Sequence, residues 1–176
     1  MKIVCIMVAS VDGRTTNDTD SSIYHWSSQE DQEYFFSLIQ KNKLLIMGRK
    51  TYDVAKSMMK HKKGKLRIVF TNTPVAFQSQ FLPDMLEFTN KSPIALIKQL
   101  ETRGYKEALL LGGETINTLF VREHLIDELW LTIEPFLFGK GNLLFQHLPF
   151  SIKLQLLSYK KLNKQGTLLA KYKIVK

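Results

Sequence analysis

A single cysteine in 176 residues leaves no internal disulfide to form, and no cysteine–histidine set carries zinc-ligand spacing. No metal is expected, and a reducing, cytoplasmic setting is the default. Long hydrophobic runs are missing too. The longest, Ile3–Ala9, falls far short of the roughly 20 apolar residues that a membrane-spanning helix takes. After Lys2 it superficially resembles a secretory leader, but Asp12 and Arg14 follow at once, and we read it as structure. There is no repeat, low-complexity tract or linker, and a hydrophobic fraction of 44% argues against disorder.

Negative charge is also scarce. With 16 acidic and 25 basic side chains the net charge is +9. Nucleic-acid binding is one explanation, and Lys60-His61-Lys62-Lys63-Gly64-Lys65 is its best support. That run lacks the interleaved aromatics of nucleic-acid binders, and the other lysines are scattered. We read it as a solvated basic loop, with a positive field suited to a small polyanionic ligand. Neither nucleic acid nor membrane is expected as a partner.

What is present centres on Glu107–Asn117. Ala108–Leu111 is a short apolar run, as in a strand buried on both faces of a parallel sheet. Gly112-Gly113 breaks it, and Glu114-Thr115 opens a segment with Ile116, Leu119 and Phe120 at helical spacing. A strand passing through glycines into a helix start gathers free N–H groups and the positive end of the helix dipole, the usual setting for phosphate. An isolated Gly-Gly can equally be a plain turn. A second such corner exists, however, where strand Leu44–Met47 runs into Gly48-Arg49-Lys50-Thr51-Tyr52. Two corners in one domain suggest a dinucleotide.

The remaining segments fit an α/β pattern. Lys2–Ala9 reads as the first strand, ending at Ser10-Val11-Asp12-Gly13. A hydroxyl and a carboxylate thus stand at a strand's carboxyl end, where ligands sit in open α/β sheets, although an ordinary Asp-Gly turn has the same form. Thr15–Ser22 reads as a polar loop. Ser27-Ser28-Gln29-Glu30 has capping-box form, with Ser27 as N-cap and Glu30 as its acid. The following helix shows Tyr34, Phe35, Leu38 and Ile39 on one stripe, with Asp31 near its centre. An acid on a buried face is costly unless paired or protonated, which is how proton donors are made. A solvated, chemically idle Asp31 at the helix start is the alternative.

Arg67–Phe70 reads as a strand ending in Thr71-Asn72-Thr73-Pro74, and Met85–Phe88 as a short one. Ser92-Pro93 opens a helix whose inner face is Ile94, Ile97 and Leu100. Leu129–Ile133 is another strand. Lys153–Leu162 and Thr167–Val175 flank Asn163-Lys164-Gln165-Gly166 as a β-hairpin. The sum is one domain over residues 1–176, a three-layer α/β fold. Its central, mostly parallel sheet is flanked by helices and ends in an antiparallel hairpin.

With these residues assembled, the chain resembles the dihydrofolate-reductase-like superfamily. It is most similar to the reductase domain of the bifunctional riboflavin-biosynthesis deaminase-reductase. The resemblance rests on Ser10-Val11-Asp12-Gly13, Met47–Tyr52, Leu111-Gly112-Gly113-Glu114, and Asp127-Glu128-Leu129 followed by Pro135 and Gly139-Lys140-Gly141. It implies an NADPH-dependent reductase. Gly48, Arg49, Lys50 and Thr51, with Gly112, Gly113, Glu114 and Thr115, would hold the cofactor's pyrophosphate. Arg49 with Thr71 and Asn72 would face its 2′-phosphate. A cis peptide between Gly112 and Gly113 is also implied. Trp26, Asp31 and Phe35 reproduce the superfamily's substrate-site spacing, with Ser10 beside them, and Asp31 or Asp12 would be the catalytic acid. The superfamily's arginine for a glutamate tail would fall near Lys65. No deaminase zinc motif is present.

The expected activity is hydride transfer to a pyrimidine- or pteridine-like heterocycle, including the ribosylaminopyrimidine of riboflavin synthesis. Alternatives are dihydrofolate reductase proper and a non-catalytic NADP-binding protein. A homodimer is expected from the resemblance and from apolar Leu154, Leu156, Tyr159, Tyr172 and Ile174 in the terminal hairpin.

Overall fold

Strand β1 (Lys2–Ser10) is buried along almost its whole length, because it lies inside a sheet covered on both faces. The computed structural model describes residues 1–17 and 22–176. Its further strands are β2 (Leu44–Gly48), β3 (Leu66–Phe70), β4 (Leu86–Thr89), β5 (Glu107–Leu110), β6 (Glu128–Glu134), β7 (Leu154–Lys161) and β8 (Leu168–Ile174). They pair in the order β4-β3-β2-β5-β1-β6-β8-β7. From β4 to β6 the pairing is parallel, whereas β8 and β7 are added antiparallel. The chain is the mixed α/β sheet with a C-terminal hairpin that the sequence implies.

Successive strand residues point to opposite faces, so the sheet has two cores. On one face Ile3, Cys5, Ile46 and Leu110 pack with helices α3 (Pro93–Thr102) and α4 (Glu114–Arg122). Phe120 of α4 is fully buried there, and truncating such a ring to alanine costs about 3–5 kcal/mol. On the other face Val4, Ile6, Leu45 and Met47 meet helices α1 (Gln29–Lys41) and α2 (Arg49–Ala55) through Phe35, Leu38, Ile39 and Tyr52.

Several local readings shift. The N-cap of α1 is Ser28, not Ser27: its hydroxyl accepts the Asp31 N–H at 3.3 Å. Glu30 is exposed and accepts a bond from Asn163 instead of closing a capping box. The box acid is replaced from across the fold, because Glu134 at the end of β6 accepts the Ser28 N–H at 2.8 Å. On α3, Ile94 is 42% exposed and Leu96 takes its inner place. Leu119 faces outward, and Ile116, Phe120 and Val121 make the buried stripe of α4. Ile174 is core, not surface, since it packs with Ile3 and Leu129. Part of the Thr15–Ser22 loop reading, residues 18–21, lies outside the described residues.

Candidate active site

Because β2 and β5 are parallel neighbours, their carboxyl ends bring the two glycine corners together. The Gly48 N–H donates to the Gly112 carbonyl at 2.7 Å. A Cβ on Gly48 would meet Ile116 Cγ1 at 2.8 Å, so glycine is what lets α2 begin against α4. Gly112 has φ +78°, and a Cβ there would meet Met7 Sδ at 3.0 Å. The peptide between Gly112 and Gly113 is cis, as the resemblance implies.

The helix starts differ in a way that bears on ligands. Helices α1 and α3 are capped by the hydroxyls of Ser28 and Ser92. By contrast, α2 and α4 start at Gly48 and Gly113 with no side-chain cap. Their first-turn N–H groups therefore remain open to an outside acceptor. Gly48, Arg49, Lys50, Thr51, Gly113, Glu114 and Thr115 all line one cleft of about 1650 Å³, as do Thr71 and Asn72. That exceeds the roughly 300–1,000 Å³ of an ordinary small-molecule pocket and suits a dinucleotide beside a substrate. Arg49 is partly engaged, in an ion pair with Asp53 one turn on.

The cleft continues along α1, past Asp31 and Phe35. Asp31 is 5% exposed. Burial pushes its carboxyl up to about 6, and the negative charge of Glu134 adds to this, while a hydrogen bond from the Thr132 hydroxyl works the other way. Asp31 thus titrates within reach of neutral pH.

Asp12 is the opposite case. Its exposed carboxylate accepts bonds from Ser10 Oγ at 2.6 Å, the Phe138 N–H at 3.1 Å and the Gly139 N–H at 2.8 Å. The Ser10 bond, then those backbone donors, hold it down to about 2. Ser10, Asp12 and Trp26 are not among the cleft-lining residues. Trp26 stands edge-on to Phe138 at 5.0 Å and to Phe136 at 6.4 Å. Ser10 and Asp12 thus tie the first loop to the 136–139 segment, and Trp26 packs against the rings of that segment.

The basic run 60–65 is the solvated loop that the sequence suggests, exposed from Lys60 to Gly64, and it also borders the cleft. Lys60, Lys62, Lys63, Gly64 and Lys65 line the far end of the cleft, above Arg67. Arg67 is 5% exposed, and one guanidinium nitrogen donates to the Lys60 carbonyl at 3.0 Å. The Lys65 ammonium is spent on the end of α1, donating to the Gln40 carbonyl at 3.0 Å and also to that of Ile39. Thr132 and Glu134 are the residues that sequence reading missed. Their only signal is two polar side chains spaced i, i+2 at the carboxyl end of β6. Among the described residues no group of His, Cys, Asp and Glu could hold a metal ion. No helix among them is long and apolar enough to cross a membrane.

The family model of the RibD C-terminal domain matches residues 1–168. The chain belongs to this family. It is 28% identical over 160 residues to the uncharacterized protein YwjB of Bacillus subtilis (strain 168), covering 88% of each chain. The crystal structure of a protein from Shewanella sp. PV-4 described as a "Putative riboflavin biosynthesis protein" superposes with a TM-score of 0.81 at 23% identity, with 100% of both chains covered. The diaminohydroxyphosphoribosylaminopyrimidine deaminase/5-amino-6-(5-phosphoribosylamino)uracil reductase of Thermotoga maritima gives a TM-score of 0.76 at 13% identity. There the match covers 99% of this chain and 56% of the other. These identities carry the RibD C-terminal fold, and the cleft described above is built within it.

Proposed function

We propose that this RibD C-terminal domain protein is an NADPH-dependent reductase of a pyrimidine- or pteridine-like heterocycle. The observation that carries the reading is the Gly48–Gly112 hydrogen bond. It unites two uncapped helix starts at one end of the cleft that Asp31 also lines. The residues fit the cofactor: N–H groups after Gly48 and Gly113 would receive its pyrophosphate, and Arg49, Thr71 and Asn72 its 2′-phosphate. When bound, NADPH supplies hydride.

The chain's own part is orientation and a proton. Phe35 presents an apolar wall, and Asp31, its carboxyl raised by burial to about 6, supplies the proton for the nitrogen of the C=N bond that takes the hydride. Asp12, held ionised, has no proton to give near neutral pH. Lys65 is occupied by the carbonyls of α1, which counts against dihydrofolate with its carboxylate tail. The names of the Shewanella and Thermotoga proteins favour a ribosylaminopyrimidine of riboflavin synthesis as the substrate. The reading also includes a cytoplasmic homodimer.

NADPH absorbance followed with a panel of aminopyrimidine, dihydropteridine and dihydrofolate substrates tests the activity. Oxidation of NADPH with an aminopyrimidine is the expected result. Failure of NADPH to bind in a calorimetric titration at millimolar concentration would sink the cofactor assignment, and with it the reductase.

A further inference from the structure

Two carboxyl groups, not one, are buried where α1 meets β6. Glu134 is 2% exposed and Asp31 5% exposed. Thr132 and Glu134 stand two residues apart on β6 and so share the strand face that α1 covers. Glu134 accepts the amide of Ser28, whose hydroxyl caps the Asp31 N–H, and Thr132 is buried on the same strand. The two acids thus meet within the first turn of one helix.

Their hydrogen bonding is unequal. Both Glu134 oxygens are met by donors, the Ser28 N–H at 2.8 Å and the Thr167 hydroxyl at 2.6 Å. Thr167 is itself fully buried and set by Asn163, whose amide donates to its Oγ1 at 2.8 Å. No cation is paired with Glu134 among the described residues. Of the other ionisable groups around the pair, Tyr34 on α1 is pushed upward by burial and by Asp31. Lys171 on β8 sits 5.6 Å from the Tyr34 ring and 3.8 Å from that of Trp130. Glu30 at the start of α1 is exposed and accepts from Asn163. Asp12 and Arg14 lie beyond Ser10, the β1 partner of Glu134. Two like charges in one dry site do not both form readily, and donors aimed at one of them decide which it is.

We infer that Glu134 is a positioning residue: its buried carboxylate, held by Ser28 and Thr167, fixes the first turn of α1 and acts through it on the Asp31 carboxyl. The capping interaction that a local acid would make has been moved to β6, which leaves the Asp31 carboxyl free for the cleft. Thr167, at the start of β8, sets this anion from the C-terminal hairpin. The inference rests on Asp31 being the proton donor proposed above, but its test does not depend on turnover.

The test is a carbon-13 carboxyl titration of Asp31 in the intact protein, run beside the pH profile of NADPH oxidation. Glu134→Gln keeps shape and an acceptor for Ser28 but removes the charge. The Asp31 midpoint should fall by about one pH unit, and the falling limb of the rate profile should follow it. Thr167→Val strips one donor from Glu134 and should move Asp31 the same way by less, which keeps the test alive if Glu134→Gln does not fold. A midpoint unmoved in the variants that fold overturns the role of Glu134. A midpoint that moves while the rate profile stays put upholds the coupling and refutes Asp31 as the donor.

Discussion

The amide of Gly48 lies 2.7 Å from the carbonyl of Gly112, so two loops more than sixty residues apart in sequence form one corner of the cleft. The two central glycines should then fail differently when substituted. Gly112→Ala forces a side chain into φ +78° against Met7, and a left-handed residue costs about 1–2 kcal/mol before any clash. It should lower the melting temperature. At Gly113 a Cβ would meet only Thr51 Oγ1, at an ordinary 3.6 Å. Gly113→Ala should melt like wild type yet bind NADPH more than tenfold more weakly, because the new methyl borders the cleft. Calorimetry and fluorescence titration of both variants check this.

Arg49→Ala should weaken NADPH about ten- to a hundredfold and leave NADH nearly unchanged, since hydrogen bonds to charged groups contribute roughly 1.5–3 kcal/mol. Its ion pair with Asp53 is a half-exposed i, i+4 contact worth about 0.5 kcal/mol at most, so stability should barely respond. Equal losses for both cofactors would contradict the 2′-phosphate role.

Asp31→Asn should bind NADPH normally and lose about 10²–10⁴-fold in turnover. The wild-type rate should fall as pH rises through about 6, where Asp31 gives up its proton, and the variant should show no such limb. Stability carries the same signature. The folded state holds this proton more tightly than the unfolded chain, so stability should drop between about pH 4 and 6 as pH rises. Chemical denaturation at a series of pH values should show that slope in wild type and lose it in the variant.

For Asp12 the sign reverses. Its folded carboxyl is held down to about 2, so its contribution is complete above the ordinary carboxylate range and fades as pH drops toward 2. Asp12→Asn should loosen the 136–139 segment, seen as faster amide exchange at Phe138 and Gly139, and leave the limb near pH 6 in place.

Light scattering should give twice the chain mass of 20.4 kDa. On edge strand β7, Leu156 is 50%, Leu157 48% and Tyr159 77% exposed, an apolar edge of the kind that single chains blunt with charge. Leu156→Lys should release monomers.

The buried strands were legible because a strand covered on both faces must be apolar throughout, and the glycine corners because few residues can make such turns. Asp31 was legible as an acid on an apolar stripe. The acid that caps its helix was not. Local pattern offered Glu30, three residues after a serine, whereas the fold supplies Glu134 from more than a hundred residues away. The error at Ile94 has a similar origin: on so short a helix about half a turn of phase decides which aliphatic residue is covered, and the sheet sets that phase. The loop 60–65 is solvated as its composition implies, but that it borders the cleft was not legible, because a lysine-rich run looks the same wherever it lies on the surface.

Strand β5 occupies the slot between β2 and β1, and those two never touch each other in the sheet. During synthesis the first half of the chain therefore waits with a gap at its middle, which residues 107–110 alone can fill. The gap closes late and from a distance, the kind of contact that slows folding. If the cleft takes NADPH as proposed, a chain stalled on the ribosome before that strand emerges should not bind it. Capture by immobilised nucleotide thus separates nascent chains that have inserted their central strand from those that have not.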